Sequence, residues 1–219
     1  RWNIEGCVFP CGNLPIILSI VLIAIALGCA PDVDTQNGRW TVVRKADWEA
    51  RFYDVFFLDR KIGWVVGKHD GSSYGKEFES VIGHTTDSGE TWYPQQSGVL
   101  GHPLRKVHFV DVRTGWIAGE GGIVLHTNDG GDNWIRQATS TENNLFDVQF
   151  LSRDEGWVVG DWGTVLYTRD GGEIWMSRSS DVDETDLLRG VHFLDARHGW
   201  IVTHDGVTYQ TSDGGENWQ

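Results

Sequence analysis

The sequence predicts an all-β protein, a β-propeller built of four-stranded antiparallel blades, on three observations. The first is TNDGGDNW at residues 127–134, which returns as TTDSGETW (85–92), TRDGGEIW (168–175) and TSDGGENW (211–218), so that Asp87, Asp129, Asp170 and Asp213 stand 41–43 residues apart. The second is a Gly-Trp pair that keeps the same beat, at Trp64, Trp116, Trp157 and Trp200, each time ahead of one Asp motif. The third is that no stretch of the repeats carries the 3.6-residue apolar period of an amphipathic helix. Self-similarity at roughly 40–45 residues with β-type composition is the mark of propeller blades.

Each element follows from one unit. RKVHFVD (105–111), TGWIAGE (114–120), GIVLHT (122–127) and NWIRQ (133–137) are short apolar or alternating runs separated by Gly and Asp turns. That is a four-stranded meander, with strands a, b, c and d. Applied to all four repeats, the pattern places blades at about 49–94, 103–137, 145–178 and 187–219. The Asp motif falls between strands c and d, where the chain must reverse tightly. Its glycines accept positive φ, its carboxylate takes up local backbone N–H groups, and its tryptophan covers the turn. Asp87, Asp129, Asp170 and Asp213, with Trp92, Trp134, Trp175 and Trp218, are therefore structural clasps, one per blade. Calcium is the functional alternative for Asp129 and Asp132. The spacing fits neither an EF-hand nor a glycine-aspartate nonapeptide, and Glu90, Glu173 and Glu216 replace Asp132 in the other repeats. No metal and no cofactor are expected.

The clasp resembles the Asp-box, or bacterial neuraminidase repeat. The whole unit, V-x-F-x-D, G-W-x-x-G and T-x-D-G-G-x-x-W, is similar to the photosystem II stability and assembly factor family over residues 40–219. The resemblance implies a seven-bladed propeller that binds a photosystem II reaction-centre precursor on the lumenal side of thylakoids. It also implies an arginine patch for that partner.

The chain opens on Arg1 rather than Met and reaches Gln219 inside the fourth strand d. The expectation is therefore a piece of a longer protein, an open arc of four blades whose last flank exposes apolar strand faces. Residues 38–43 (GRWTVV) resemble a strand d that arrives before any strand a. A formal charge of −13 and a pI near 4.9 argue against nucleic acid, which needs a basic surface.

Residues 14–28 form an uninterrupted apolar run, short for a bilayer span and right for the core of a signal peptide. Ala26-Leu27-Gly28-Cys29 resembles a lipobox, so residues 1–28 are expected to be a lipoprotein-type leader. Cys29 would carry the lipid, and residues 29–38 would tether a domain spanning 39–219. The alternative is an uncleaved anchor. Either way the blades leave the cytoplasm, and loss of Cys7 and Cys11 with the leader leaves no disulfide framework.

Catalytic patterns are sparse. Residues 71–75 (GSSYG) match G-x-S-x-G, which in a nucleophile elbow stands between a strand and a helix, but they fall in an insertion of the first repeat, 68–78, with no helical pattern behind them. Sialidases combine an arginine triad with a tyrosine nucleophile, and no residues around Arg51, Arg105, Arg153 or Arg189 match such a motif. A xyloglucanase-like pair could be drawn only from Glu120 and Asp161, which hold equal repeat positions. The chain is expected to be non-catalytic, a glycan-active or glycan-binding propeller being the alternative. In a meander, b–c turns share a face with d–a connections, and that face varies between repeats. Glu120, Asp161, Trp162 and Asp205 lie there, with Asp70. So do Arg105 and Arg189, the counterparts of the family's arginine patch, while Tyr53 and Phe146 fill the equivalent places in the other two blades. These are the candidate contacts to a protein partner, envisaged as a membrane-protein assembly intermediate.

Overall fold

The computed structural model describes residues 3–4, 7–8, 50–69 and 80–219. The chain divides into two units, Arg1–Val42 and Val43–Gln219. In the first, β1 (Asn3–Ile4) pairs antiparallel with β2 (Cys7–Val8). The apolar run, Cys29, the tether, the strand-like residues 38–43, Asp70 and the GSSYG loop lie outside the described residues.

The second unit consists of antiparallel meanders. Blade one is β3 (Ala50–Phe57), β4 (Gly63–His69), β5 (Ser80–Thr85) and β6 (Tyr93–Gln95). Blade two is β7 (Leu104–Phe109), β8 (Gly115–Gly119), β9 (Ile123–Thr127) and β10 (Ile135–Gln137). Blade three is β11 (Leu145–Phe150), β12 (Gly156–Gly160), β13 (Val165–Thr168) and β14 (Met176–Ser177). Blade four holds β15 (Leu188–Phe193), β16 (Gly199–Thr203) and β17 (Thr208–Thr211), and Gln219 exchanges two backbone hydrogen bonds with Gln210, where a fourth strand would pair. No helix occurs among the described residues. The d strands are shorter than the sequence pattern suggests, because the asparagine and tryptophan that open NWIRQ belong to the clasp.

Consecutive blades meet through their a strands, β3 against β7, β7 against β11 and β11 against β15, which makes a the inner strand. The b strands of blades two and three are buried from end to end. Their tryptophans are the joints. Trp64, Trp116 and Trp157 are fully buried, and each stacks flat on the strand-a phenylalanine of the next blade: Phe109 at 3.5 Å, Phe150 at 3.5 Å and Phe193 at 3.7 Å between ring centroids. That phenylalanine is in turn met edge-on by its own clasp tryptophan, as in Phe150 with Trp175 at 5.9 Å. Such aromatic pairs add about 0.5–1.5 kcal/mol each beyond the area they bury. The glycine before each strand-b tryptophan is explained by the same phenylalanine: a Cβ on Gly115 would fall 2.5 Å from the Phe109 ring. Trp200 and Val202, at the positions of Trp157 and Val159, remain part-exposed and 47% exposed respectively.

The clasps repeat one hydrogen-bond scheme. In blade two, Thr127 Oγ1 donates to Asp129 Oδ1 (2.7 Å) and accepts from Gly131 N (2.9 Å), while Asp129 Oδ1 also accepts from Asn133 N (3.0 Å). The side-chain amide of Asn133, donating to Asp129 Oδ2, is the largest influence holding that carboxyl down to about 2. Asp87, Asp170 and Asp213 make the same bonds to Thr85 and Thr91, to Thr168 and Ile174, and to Thr211 and Asn217. With one oxygen shared between the threonine and a backbone N–H, the carboxylate is committed to the turn.

The clasp also serves the preceding blade. Trp116 Nε1 (3.0 Å) and Gln137 Nε2 (2.7 Å) both donate to Gly171 O in the clasp of blade three, and Trp64 and Gln95 do the same to Gly130 O in blade two. The close approach of that glutamine explains the second clasp glycine: Gly131 has φ +94, and a Cβ on it would lie 2.1 Å from Gln95 Oε1.

Candidate partner-binding face

The a strands position this face through one repeated irregularity. Each is bulged against its b strand, between Phe52 and Asp54, Leu104 and Lys106, Leu145 and Asp147, and Leu188 and Gly190. The extra residue is Tyr53, Arg105, Phe146 or Arg189. A bulge re-aims the side chain of its unpaired residue and increases local twist. The four bulge residues consequently interleave along the inner edge: the Arg105 guanidinium lies 4.2 Å from the Tyr53 ring centroid and 5.9 Å from that of Phe146, and the Arg189 guanidinium lies 4.0 Å from Phe146. Cations and rings alternate across four blades. Arg105 also forms an ion pair with Glu120, each side chain about one-quarter exposed.

Beside this stack, the next residue of the a strands in blades one to three makes a polar row of Asp54, Lys106 and Asp147. Lys106 Nζ stands 3.3 Å from Asp54 Oδ1 and 4.0 Å from Asp147 Oδ1. Each aspartate reaches across to the following blade, where Asp54 Oδ2 accepts from Val107 N (3.0 Å) and Asp147 Oδ2 from Val191 N (2.8 Å). Burial pushes the Asp147 carboxyl up to about 6, against the pull of the Val191 N–H and Lys106.

The b–c turns and d–a loops share the face, as their hydrogen bonds show: Glu120 N donates to Pro103 O, Gly121 N to Asn144 Oδ1, and Gly163 N to Asp186 O. Asp161 accepts from Asn144 Nδ2 (2.8 Å). Asp205 is exposed in a longer turn of blade four, where Thr203 N donates to Val207 O. Trp162 stands 63% exposed at a two-residue hairpin turn, with φ +57 and Gly163 at +59. Glu120 and Asp161, the one carboxylate pair a hydrolase reading could draw on, are thus tied to Arg105 and Asn144 respectively. Among the described residues no group of three His, Cys, Asp or Glu side chains is placed to hold a metal ion.

The structure gathers Arg105, Arg189 and Glu120 at or beside the stack, and leaves Trp162 and Asp205 as solvent-facing turn residues. Tyr53 and Phe146, which fill the places of the arginines in the other two blades, are the platforms on which the arginines lie. The signal was present in their equal repeat positions. Gln95 and Gln137, also at equal positions, were missed altogether.

Bladed meanders with a Thr-Asp-Gly clasp on every c–d turn, locked through tryptophan to the next blade, define an Asp-box β-propeller. Residues 33–142 and 136–219 match the family described as Photosynthesis system II assembly factor YCF48, and the chain belongs to that family. A curated relative, the Photosystem II assembly lipoprotein Ycf48 of Synechococcus sp. (strain CC9902), is 28% identical over 130 residues, 56% of this chain and 36% of the relative. The chain thus spans about a third of that relative's length. A solved structure of YCF48 bound to D1 peptide superposes with a TM-score of 0.51 at 18% identity, covering 79% of this chain and 81% of that one. A GH74 enzyme of Niastella koreensis gives a TM-score of 0.56 at 12% identity over 77% of this chain and 29% of its own. At these identities both structures speak to the fold alone.

Proposed function

We propose that this chain is a non-catalytic, extracytoplasmic protein-binding propeller that assists photosystem assembly. In this reading residues 1–28 are a leader, Cys29 carries the membrane-anchoring lipid and residues 29–38 are the tether. The blades hold the inner-edge stack toward a segment of a photosystem subunit. The observation that carries the reading is the alternation of Tyr53, Arg105, Phe146 and Arg189. Planar guanidiniums stacked on rings turn their edge N–H donors toward carboxylates, as Arg105 does toward Glu120, while the rings offer apolar contact. That chemistry fits an extended peptide bearing acidic groups, and a relative bound to a D1 peptide supports the choice of partner. Trp162, Asp161 and Asp205 would flank the segment as rim contacts, where single residues contribute little.

The test is calorimetric titration of the protein with a synthetic D1-derived peptide. Arg105→Ala with Arg189→Ala should weaken binding more than about tenfold, a loss of about 1.4 kcal/mol. Arg189→Lys, which keeps charge but not the flat stack, should fall between. Unchanged affinity in the double variant would overturn the reading.

A further inference from the structure

We propose that the groove between blades two and three binds a neutral pyranose sugar or short oligosaccharide, stacked on Trp162. The groove has a volume of about 260 Å³ and lies between the loop joining β10 to β11 and the c and d strands of blade three. None of its lining belongs to the inner-edge stack. Trp162, Trp175 and Leu166 contribute apolar wall, and the rest of the lining is hydroxyl and amide with no ionisable side chain, on a chain of formal charge −13. Such a lining favours a neutral ligand with many hydroxyls and at least one apolar face, and an exposed indole is the platform that a sugar ring needs.

The backbone gives a second, independent observation. Only three non-glycine residues among those described have positive φ, and two of them, Ser140 (+56) and Trp162 (+57), line this groove. A left-handed conformation costs a bulky L-residue about 1–2 kcal/mol and persists where the surroundings over-determine it, typically at ligand sites. The sister groove between blades one and two shows what the repeat does without that demand. There Gly98 (φ +67) holds the place of Ser140 and Gly121 (φ +68) that of Trp162, and Arg136 enters the lining. A hydroxyl and an indole thus stand at one joint where the sister joint has two glycines, each against the backbone's preference.

Polar groups remain to receive a ligand. The Ser140 hydroxyl is exposed and without a partner among the described residues. Asn143 donates its amide N–H to Thr164 Oγ1 (2.8 Å), which leaves its Oδ1 as an acceptor. The Ser177 hydroxyl is held only by a 3.4 Å contact to Ser179 Oγ, which itself accepts from Val165 N at 2.9 Å.

The experiment is saturation-transfer NMR and calorimetry on the whole chain with cellotetraose, chitotetraose and mannotetraose, beside a proline-rich peptide as the competing apolar occupant. At least one oligosaccharide should saturate the protein. Trp162→Gly, which restores the residue used at the sister turn, should weaken that binding more than about tenfold, while Trp162→Phe keeps most of it. Because glycine relieves the turn, the melting temperature of Trp162→Gly should hold or rise, so loss of binding cannot be ascribed to unfolding. Three results would each overturn the proposal: no saturation by any of the three sugars, equal binding by Trp162→Gly, or saturation by the peptide alone.

Discussion

Gly171 O offers a direct measurement of how blades are joined. Two side chains of blade two, Trp116 through Nε1 and Gln137 through Nε2, donate to this one buried carbonyl of blade three. Trp116→Phe removes the first donor and keeps a ring on Phe150. The carbonyl stays satisfied by Gln137, so the cost is one net hydrogen bond plus some lost packing, about 1–2 kcal/mol. Gln137→Leu removes the second donor and also deprives Trp175 Nε1 of its acceptor at 3.3 Å, so it should cost about 2 kcal/mol. In the double variant nothing donates to Gly171 O, and a buried unsatisfied carbonyl adds a desolvation penalty of about 1–3 kcal/mol. The two changes should therefore exceed additivity by at least about 1 kcal/mol in a double-mutant cycle, read as urea midpoints at constant m-value. Additivity within about 0.3 kcal/mol would refute the shared-acceptor account and mean that each donor acts alone.

The clasp should show its charge in acid. Asp129→Ala is expected to lower stability by about 1–2 kcal/mol near neutrality through the lost bonds to Thr127 and Asn133. Because the folded pKa is depressed to about 2, that contribution is complete above the unfolded value of about 3.8 and disappears as pH falls through 2. The gap between variant and wild type should accordingly close below pH 4; a gap constant down to pH 2 would show that the charge is irrelevant to the turn. Asp147 has the opposite sign. Its folded pKa is raised to about 6, so its ionisation costs stability progressively as pH rises from about 4 to 6, by at most about 3 kcal/mol. Asp147→Asn keeps an acceptor for Val191 N and should flatten the melting temperature across that window, gaining on wild type toward pH 7. Parallel profiles through pH 4–6 would contradict the burial of an ionised carboxylate.

Most of the blade plan was legible because it rests on local chemistry repeated four times. The clasp threonine, aspartate and glycines act within a few residues of one another, and Gly-Trp marks strand b because the glycine lies under its own blade's phenylalanine. What escaped the sequence is chemistry between blades. Gln95 and Gln137 act on a clasp that lies 35 and 34 residues further along the chain, and nothing in their immediate neighbourhood announces it. The bulge is a similar case. Alternation within RKVHF reads as an unbroken strand, yet one residue is extruded, and this brings Arg105 over the Tyr53 and Phe146 rings of the neighbouring blades. The proposed face is therefore half legible: the sequence sets Tyr53, Arg105, Phe146 and Arg189 at equal repeat positions, but not the stacking of the arginines on the rings.

The three joints among the described blades are directional. Each blade offers an indole forward, joined in blades one and two by a carboxamide, and the next blade presents a phenyl ring and a peptide carbonyl backward, so the two flanks are different and complementary. Neither flank depends on what the b–c turn or the d–a loop contains. Blades of this kind behave as interchangeable links: a duplicated or transplanted repeat carries both halves of its coupling with it. The loop-bearing rim is then free to change from blade to blade without any renegotiation of the joint, which is how neighbouring blades here come to display Gly-Gly at one turn and Trp-Gly at the next.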